Sequence, residues 1–484
     1  MSTSTPAGTR FTSAQWLLLA LGSALLVIFW LSRISTSPIV WDAAENLHLT
    51  LNVAHHHAFS QSEQEPLQPS TYREPLPILF SAVAVDAVDA ALGPTDNSDY
   101  FQGRRARLLK YQNLVWMAVL TLVTFALARE LGITFNLSLV CVAALNLLLL
   151  THDVGYFMLD SLYTEALASA LLCLASLLLL KGLRRNSLTW LALAGISFGL
   201  LILVKALFLY LIATVAIFMV LLSPWLHRSY WVATRQAAAL VILALLVILP
   251  WMLRNLEQVG YFAITQRGGE VLYDRAMADQ MTRDEYIGAY FMYAPYPLDG
   301  ILRRMLGYSR SDLEFGGRLQ RLNESPAASF YVRDYSAELA GRPEDAVTYM
   351  HRAGADRVRL RMQLEQAGDL HAEPTSDRLI QQRATQMIRQ HLFSHLELIP
   401  LYLWQGAFFC FPVLVLAAIV ALRRRRIDVL LMLWPATGSL LFYASVAHLE
   451  PRYAIPTFPI VVCALAAVAS GMRPGPLERT AQSR

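Results

Sequence analysis

The sequence predicts an all-α polytopic membrane protein with about ten transmembrane helices, interfacial helices in a long first outer loop, and a small, mainly helical extracytoplasmic domain. Three observations carry this. The 484 residues are 55% hydrophobic and only 16% charged, with a mean hydropathy of +0.41, too apolar for an ordinary soluble protein. The apolar residues fall into runs close to the length of about 20 that one bilayer crossing needs. Arginine and lysine cluster in short links between those runs, as membrane topology requires. The net charge of +4 is small, and a nucleic-acid surface is excluded as a use for it.

In chain order the expected spans are Ala14 to Leu31, Leu114 to Leu131, Leu137 to Leu150, Leu162 to Leu180, Leu188 to Val204, Ala206 to Leu222, Ala237 to Trp251, Pro400 to Leu422, Val429 to Val446 and Ala454 to Ser470. The first has no cleavage-site pattern after it and is read as a permanent helix rather than a signal peptide. Leu76 to Leu92 is also apolar, but Asp86 and Asp89 interrupt it and Pro75 and Pro77 open it. It is read as a helix lying at the interface. Three regions follow: residues 1–252 with seven spans and a first outer loop at 32–113, an extracytoplasmic domain at 253–399, and residues 400–484 with three spans.

Both termini are expected in the cytoplasm. That orientation puts Lys181, Arg184 and Arg185, then His227, Arg228 and Arg235, then Arg423 to Arg426, and finally Arg473, Arg479 and Arg484 inside, as the positive-inside rule asks. Arg104, Arg105, Arg107 and Lys110 fall outside, in a long loop that the rule governs weakly. In the second long loop, "PEDAVTYMHRAGADRVRLRMQLEQAG" has apolar residues at helical spacing after a Pro343-Glu344 start. The tail Met1 to Arg10 is expected to be disordered. Cys141, Cys173, Cys410 and Cys463 all sit in apolar runs and read as small buried hydrophobes.

The chemistry-bearing residues gather at the expected outer ends of the spans. They are Asp42 and Glu45; Arg73 and Glu74 in "TYREPLPILF"; Asp160 and Glu165 in "MLDSLYTEA"; Lys205 in "ILVKALF"; Arg254 and Asn255; and His448, Glu450, Arg452 and Tyr453 in "HLEPRYAIPTFP". Charge at membrane depth is costly unless paired or used, so acids and bases converging on one face suit an anionic, membrane-borne ligand. Each has a plainer reading. Asp42 and Glu45 suit a helix start, Asp160 with Ser161 an N-cap, and Lys205, Arg254 and Arg452 suit snorkelling. The run His55, His56 and His57 cannot turn three rings onto one metal, because neighbours on a helix or strand face different ways.

In combination, "DAAENLHLTLNVAHHHAFS", "TYREPLPILFSAV", "SLYTEALASALL", "LAGISFGLLILVKALFLY", "PWMLRNLEQVGYFAITQRGGEVLY" and "EPRYAIPTFPIV" resemble, in order, the polytopic GT-C glycosyltransferases. The likeness is greatest to the branch related to protein O-mannosyltransferases and aminoarabinose transferases. It implies transfer of a sugar from a polyprenyl-phosphate donor to a glycan, lipid or protein hydroxyl on the outer face of a cell membrane, here a bacterial inner membrane, in cell-envelope glycan synthesis. By the same resemblance Asp42 is the general base of an inverting reaction. Lys205, Arg73, Arg254 and Arg452 would hold the donor phosphate with Tyr453, and Asp160, Glu165 or Glu45 would orient the acceptor or hold a divalent cation. Many relatives carry adjacent Asp-Glu where this chain has Asp42-Ala43, with Glu45 three residues on.

Two other classes compete. A solute carrier or lipid flippase would line a path with these charges, but transporters usually show two related halves and polar breaks at mid-membrane, and neither is visible here. An inactive scaffold subunit of the same superfamily would have no need of Asp42 and the basic residues.

Overall fold

The structure is a computed structural model that describes residues 13–62, 66–369 and 371–471. The tail Met1 to Arg10 and the basic residues Arg473, Arg479 and Arg484 lie outside them. Among the described residues every regular element is a helix. The chain begins with α1 (Ser13–Arg33), α2 (Asp42–His56), α3 (Pro75–Leu92), α4 (Gly103–Lys110), α5 (Gln112–Glu130), α6 (Phe135–Leu148) and α7 (His152–Met158). It continues with α8 (Glu165–Arg185), α9 (Leu188–Ile202), α10 (Phe208–Leu221) and α11 (Tyr230–Val259). A polar stretch supplies α12 (Gly268–Met277), α13 (Arg283–Met292), α14 (Leu298–Leu306), α15 (Tyr331–Leu339), α16 (Tyr349–Gln366) and α17 (Ala372–Gln390). The last group is α18 (Leu392–Ala407), α19 (Cys410–Arg423), α20 (Ile427–Val446), α21 (Pro451–Ala454) and α22 (Phe458–Ala469).

Among the described residues, six helices are long and apolar enough to cross a membrane: α3, α4 with α5, α8, α11, α20, and α21 with α22. Two bent pairs raise the number to eight, α6 with α7 at 97° and α18 with α19 at 105°. Leu21–Arg33, α9 and α10 are apolar but shorter. Length and composition therefore give six to eight spans rather than ten, and they admit α3, which the sequence reading laid at the interface. Pro75 and Pro77 stand in the first turn of α3, where a missing N–H disrupts no helical bond. Asp89 is taken up by His55 at 3.1 Å and Arg105 at 2.8 Å, so its charge is paired.

The helix α8 forms the centre. Its apolar residues run all round rather than along one stripe, the mark of a helix enclosed by others, and most of it is buried. Glycines set the closest approach. In "GISFG" an added Cβ at Gly195 would stand 2.3 Å from the carbonyl oxygen of Leu240, and one at Gly199 2.9 Å from that of Ala244. The four-residue spacing puts both on the face of α9 that meets α11.

Candidate active site

The helix α2 begins from Trp41, whose φ of +58° is unusual for a bulky residue. No side chain caps this end, so Asp42 is the first helical residue rather than the cap, and its carboxylate reaches tertiary partners instead. Arg73 donates from Nη2 to Asp42 Oδ1 at 2.9 Å and also meets Glu45 Oε2. Arg452, brought from the other end of the chain, sets Nη1 2.7 Å from Asp42 Oδ2. Its Nε lies 2.6 Å from Glu450 Oε2, and Glu450 Oε1 lies 3.0 Å from His448 Nε2. The result is one line of alternating charge: His448, Glu450, Arg452, Asp42, Arg73, Glu45.

Backbone contacts explain why these segments meet. Leu76 N donates to Leu203 O at 3.1 Å, and Ala206 N donates to Glu74 Oε1 at 3.3 Å. The "YREP" loop is thereby fastened to the break between α9 and α10 that carries Lys205. Gln266 N donates to Thr71 O at 3.1 Å, which lays Arg267 over the Tyr72 ring at 4.6 Å. Lys205 Nζ is 3.3 Å from Glu165 Oε1 and 5.6 Å from the centre of the Tyr453 ring, both ionised groups being buried. Arg452 lies between Tyr163 at 5.3 Å and Tyr453 at 5.1 Å.

The electrostatics follow from this crowding. Burial pushes the Asp42 carboxyl up, but Arg73, Arg452 and Arg267 together outweigh it and hold the group well below the usual carboxylate range. At the far end, burial would depress His448, yet its bond to Glu450 raises it to about 9. Burial likewise works against the Glu450 charge, but His448 and Arg452 bring its pKa down to about 2. The cluster thus holds Arg73, Lys205, Arg267, Arg452 and the protonated His448 against the carboxylates Asp42, Glu45, Glu165, Glu270 and Glu450.

Other residues singled out in the sequence lie apart from this line. Asp160 accepts from Ser35 N at 2.7 Å, Ser35 Oγ at 2.7 Å, Ser37 Oγ at 3.1 Å and the buried Lys110 Nζ at 3.0 Å. It does not cap α8, which starts at Glu165 with Thr164 before it. Arg254 donates to Ser70 O at 2.8 Å and rests on Trp251 at 4.9 Å, so it braces the first loop against α11. His55 pairs with Asp89, while His57 ends α2 in the left-handed region with φ of +54°. Among the described residues no three of His, Cys, Asp and Glu are grouped so as to hold a metal ion. Sequence reasoning left out Arg267, Tyr72 and Tyr163. Arg267 stood inside the quoted "TQRGGE", but an arginine in a polar loop has no mark that separates it from a solvated one.

No curated protein matches the chain. Residues 103–253, from α4 through most of α11 and including Glu165 and Lys205, are similar to the dolichyl-phosphate-mannose-protein mannosyltransferase family, which suggests a membrane glycosyltransferase of the GT-C type.

Proposed function

We propose that the protein transfers a sugar from a polyprenyl-phosphate donor to an acceptor hydroxyl, with inversion at the anomeric carbon and Asp42 as general base. The observation that carries the reading is the shared use of Arg73 and Arg452 by Asp42 and its neighbouring carboxylates. In the reaction the acceptor oxygen bonds to the anomeric carbon as that carbon's bond to the phosphate oxygen breaks. The hydroxyl proton goes to Asp42, and the bonding pair leaves with the polyprenyl phosphate. Arg73, Arg452 and Lys205 would take up the charge on the departing phosphate, with Tyr453 as a hydrogen-bond donor; stabilising developing charge usually contributes more to such catalysis than any other single effect.

Pairing in the resting site makes Asp42 a weak base, and this gives the order of events a physical reason. The cations of the cluster are already paired with its carboxylates, so an arriving phosphate must draw guanidinium groups away from them. Asp42 then loses the partners that depress its pKa and gains basicity once the donor is in place. Asp160 and Arg254 serve the scaffold in this reading, and Glu165 orients Lys205. The test is to incubate the purified protein with radiolabelled polyprenyl-phosphate sugars and follow label into lipid, glycan and protein fractions. Label moving from at least one donor is the expected result; no transfer from any donor, by protein that stays folded, overturns the proposal.

A further inference from the structure

We propose that a polar cleft next to the Asp42 cluster binds the acceptor, and that the part it binds is a hydroxyl-rich saccharide that is neutral or cationic. This rests on the transferase reading above. The cleft has a volume of about 270 Å³ and lies between the first loop and helices α12, α15, α16 and α17. That size is close to the lower end of the range of about 300–1,000 Å³ typical of small-molecule sites, enough for part of a ligand. Glu45 lines it and also shares Arg73 with Asp42, so its inner end adjoins the proposed base.

The chemistry of the walls selects the class of ligand. Of its carboxylates, Glu45, Glu270 and Glu338 pair with Arg73, Arg357 and His351, and its second guanidinium group, Arg361, pairs with Glu365, whereas Glu373 and Asp377 have no ion-pair partner among the described residues and leave the α17 wall negative. An excess of negative charge in a concave site repels a polyanion. The aliphatic lining is limited to Leu339 and Val358, too little to form pockets for apolar peptide side chains. Carboxylates, guanidinium groups and the amides of Gln61 and Gln266 instead give many acceptors and donors at close spacing, which suits adjacent hydroxyls.

The walls are also built in advance. Tyr72 Oη donates to Glu270 Oε2 at 3.3 Å, and Arg357 pairs with the other oxygen of Glu270. Asp377 accepts from Gly269 N at 3.2 Å and Glu270 N at 3.0 Å, fixing α17 to the start of α12. Only glycine fits at 269, since a Cβ would stand 2.0 Å from the Asp377 carbonyl oxygen. Burial raises the carboxyl of Asp377 to about 6 and pushes that of Glu373 upward as well.

The full-length protein in lipid nanodiscs is titrated, without donor, with maltotriose, a glucosamine trimer, trigalacturonate and a Ser/Thr-rich hexapeptide. Glu373→Gln and Glu373→Arg are titrated beside the wild type, with melting temperature as the check on folding. The expected result is binding of the first two saccharides, with trigalacturonate at least about tenfold weaker, as repulsion between its carboxylates and those of the wall would give. Glu373→Gln weakens saccharide binding several-fold, and Glu373→Arg abolishes the preference against trigalacturonate. The proposal is overturned if trigalacturonate binds as tightly as maltotriose, if the peptide alone binds, or if folded Glu373 variants bind all ligands like the wild type. Absence of transfer from every donor sinks the transferase reading while saccharide binding leaves the cleft standing. Transfer with an acceptor KM unchanged in both variants does the reverse.

Discussion

Asp42 and Asp160 look alike in the sequence, each an acid beside an apolar run, and the fold gives them opposite surroundings. Asp160 is saturated: two serines and the wholly buried Lys110 supply four hydrogen bonds to it, and together they hold its carboxyl below the ordinary range against the effect of burial. Asp42 is held by two arginines, each of which it shares with another carboxylate, and its side chain remains 28% exposed. A saturated pair locks segments together. A shared pair can be exchanged, because an incoming anion can take a guanidinium group without leaving a buried charge alone.

The largest expected effect tests the exchangeable side of this contrast. Asp42→Asn keeps the shape but cannot accept the acceptor's proton, so transfer should fall by about 10²- to 10⁴-fold with melting temperature little changed. Glu45→Gln, measured in the same initial-rate assay, should lose less, since Glu45 is 48% exposed and among the described residues pairs only with Arg73. Full activity in Asp42→Asn with loss in Glu45→Gln would move the base one turn along α2.

Lys110→Met tests the locked side. Breaking a buried pair costs about 3–5 kcal/mol, so this variant should melt well below the wild type, while any folded fraction keeps its specific activity. A folded, stable but inactive Lys110→Met would place Asp160 in the chemistry and erase the distinction. Arg254→Met is a milder case. Loss of its bonds to Ser70 O and Asn255 Oδ1 should cost about 1–3 kcal/mol of stability and leave donor affinity unchanged. Weaker donor binding would return Arg254 to the phosphate site.

The smallest effect is a pH dependence at the His448 end of the charge line. Because the folded state raises His448 from 6.5 to about 9, its contribution to stability is complete below pH 6.5 and is lost as pH rises through about 9. The melting-temperature gap between wild type and His448→Gln should close over that interval. Glu450, Asp274 and Glu324 are the charged groups acting on His448. A gap that widens toward alkaline pH would mean that His448 is neutral in the folded protein.

The sequence by itself determined the helical class and the apolar segments, because both depend on local composition and periodicity. It also marked Asp42, Arg73, Lys205, Glu165 and Arg452, because a charge beside an apolar run is costly wherever it occurs. It could not separate Asp42 from Asp160, since the difference lies in partners more than a hundred residues away: Arg452 for one, Ser35 for the other. Nor could it find Arg267 or the cleft at Glu373, which exist only where the "TYREP" loop meets α12 and α17. Spacing along the chain fixes which face of a helix a side chain occupies. Only tertiary packing decides which distant charge stands opposite it, and pairing, burial and exchangeability all follow from that.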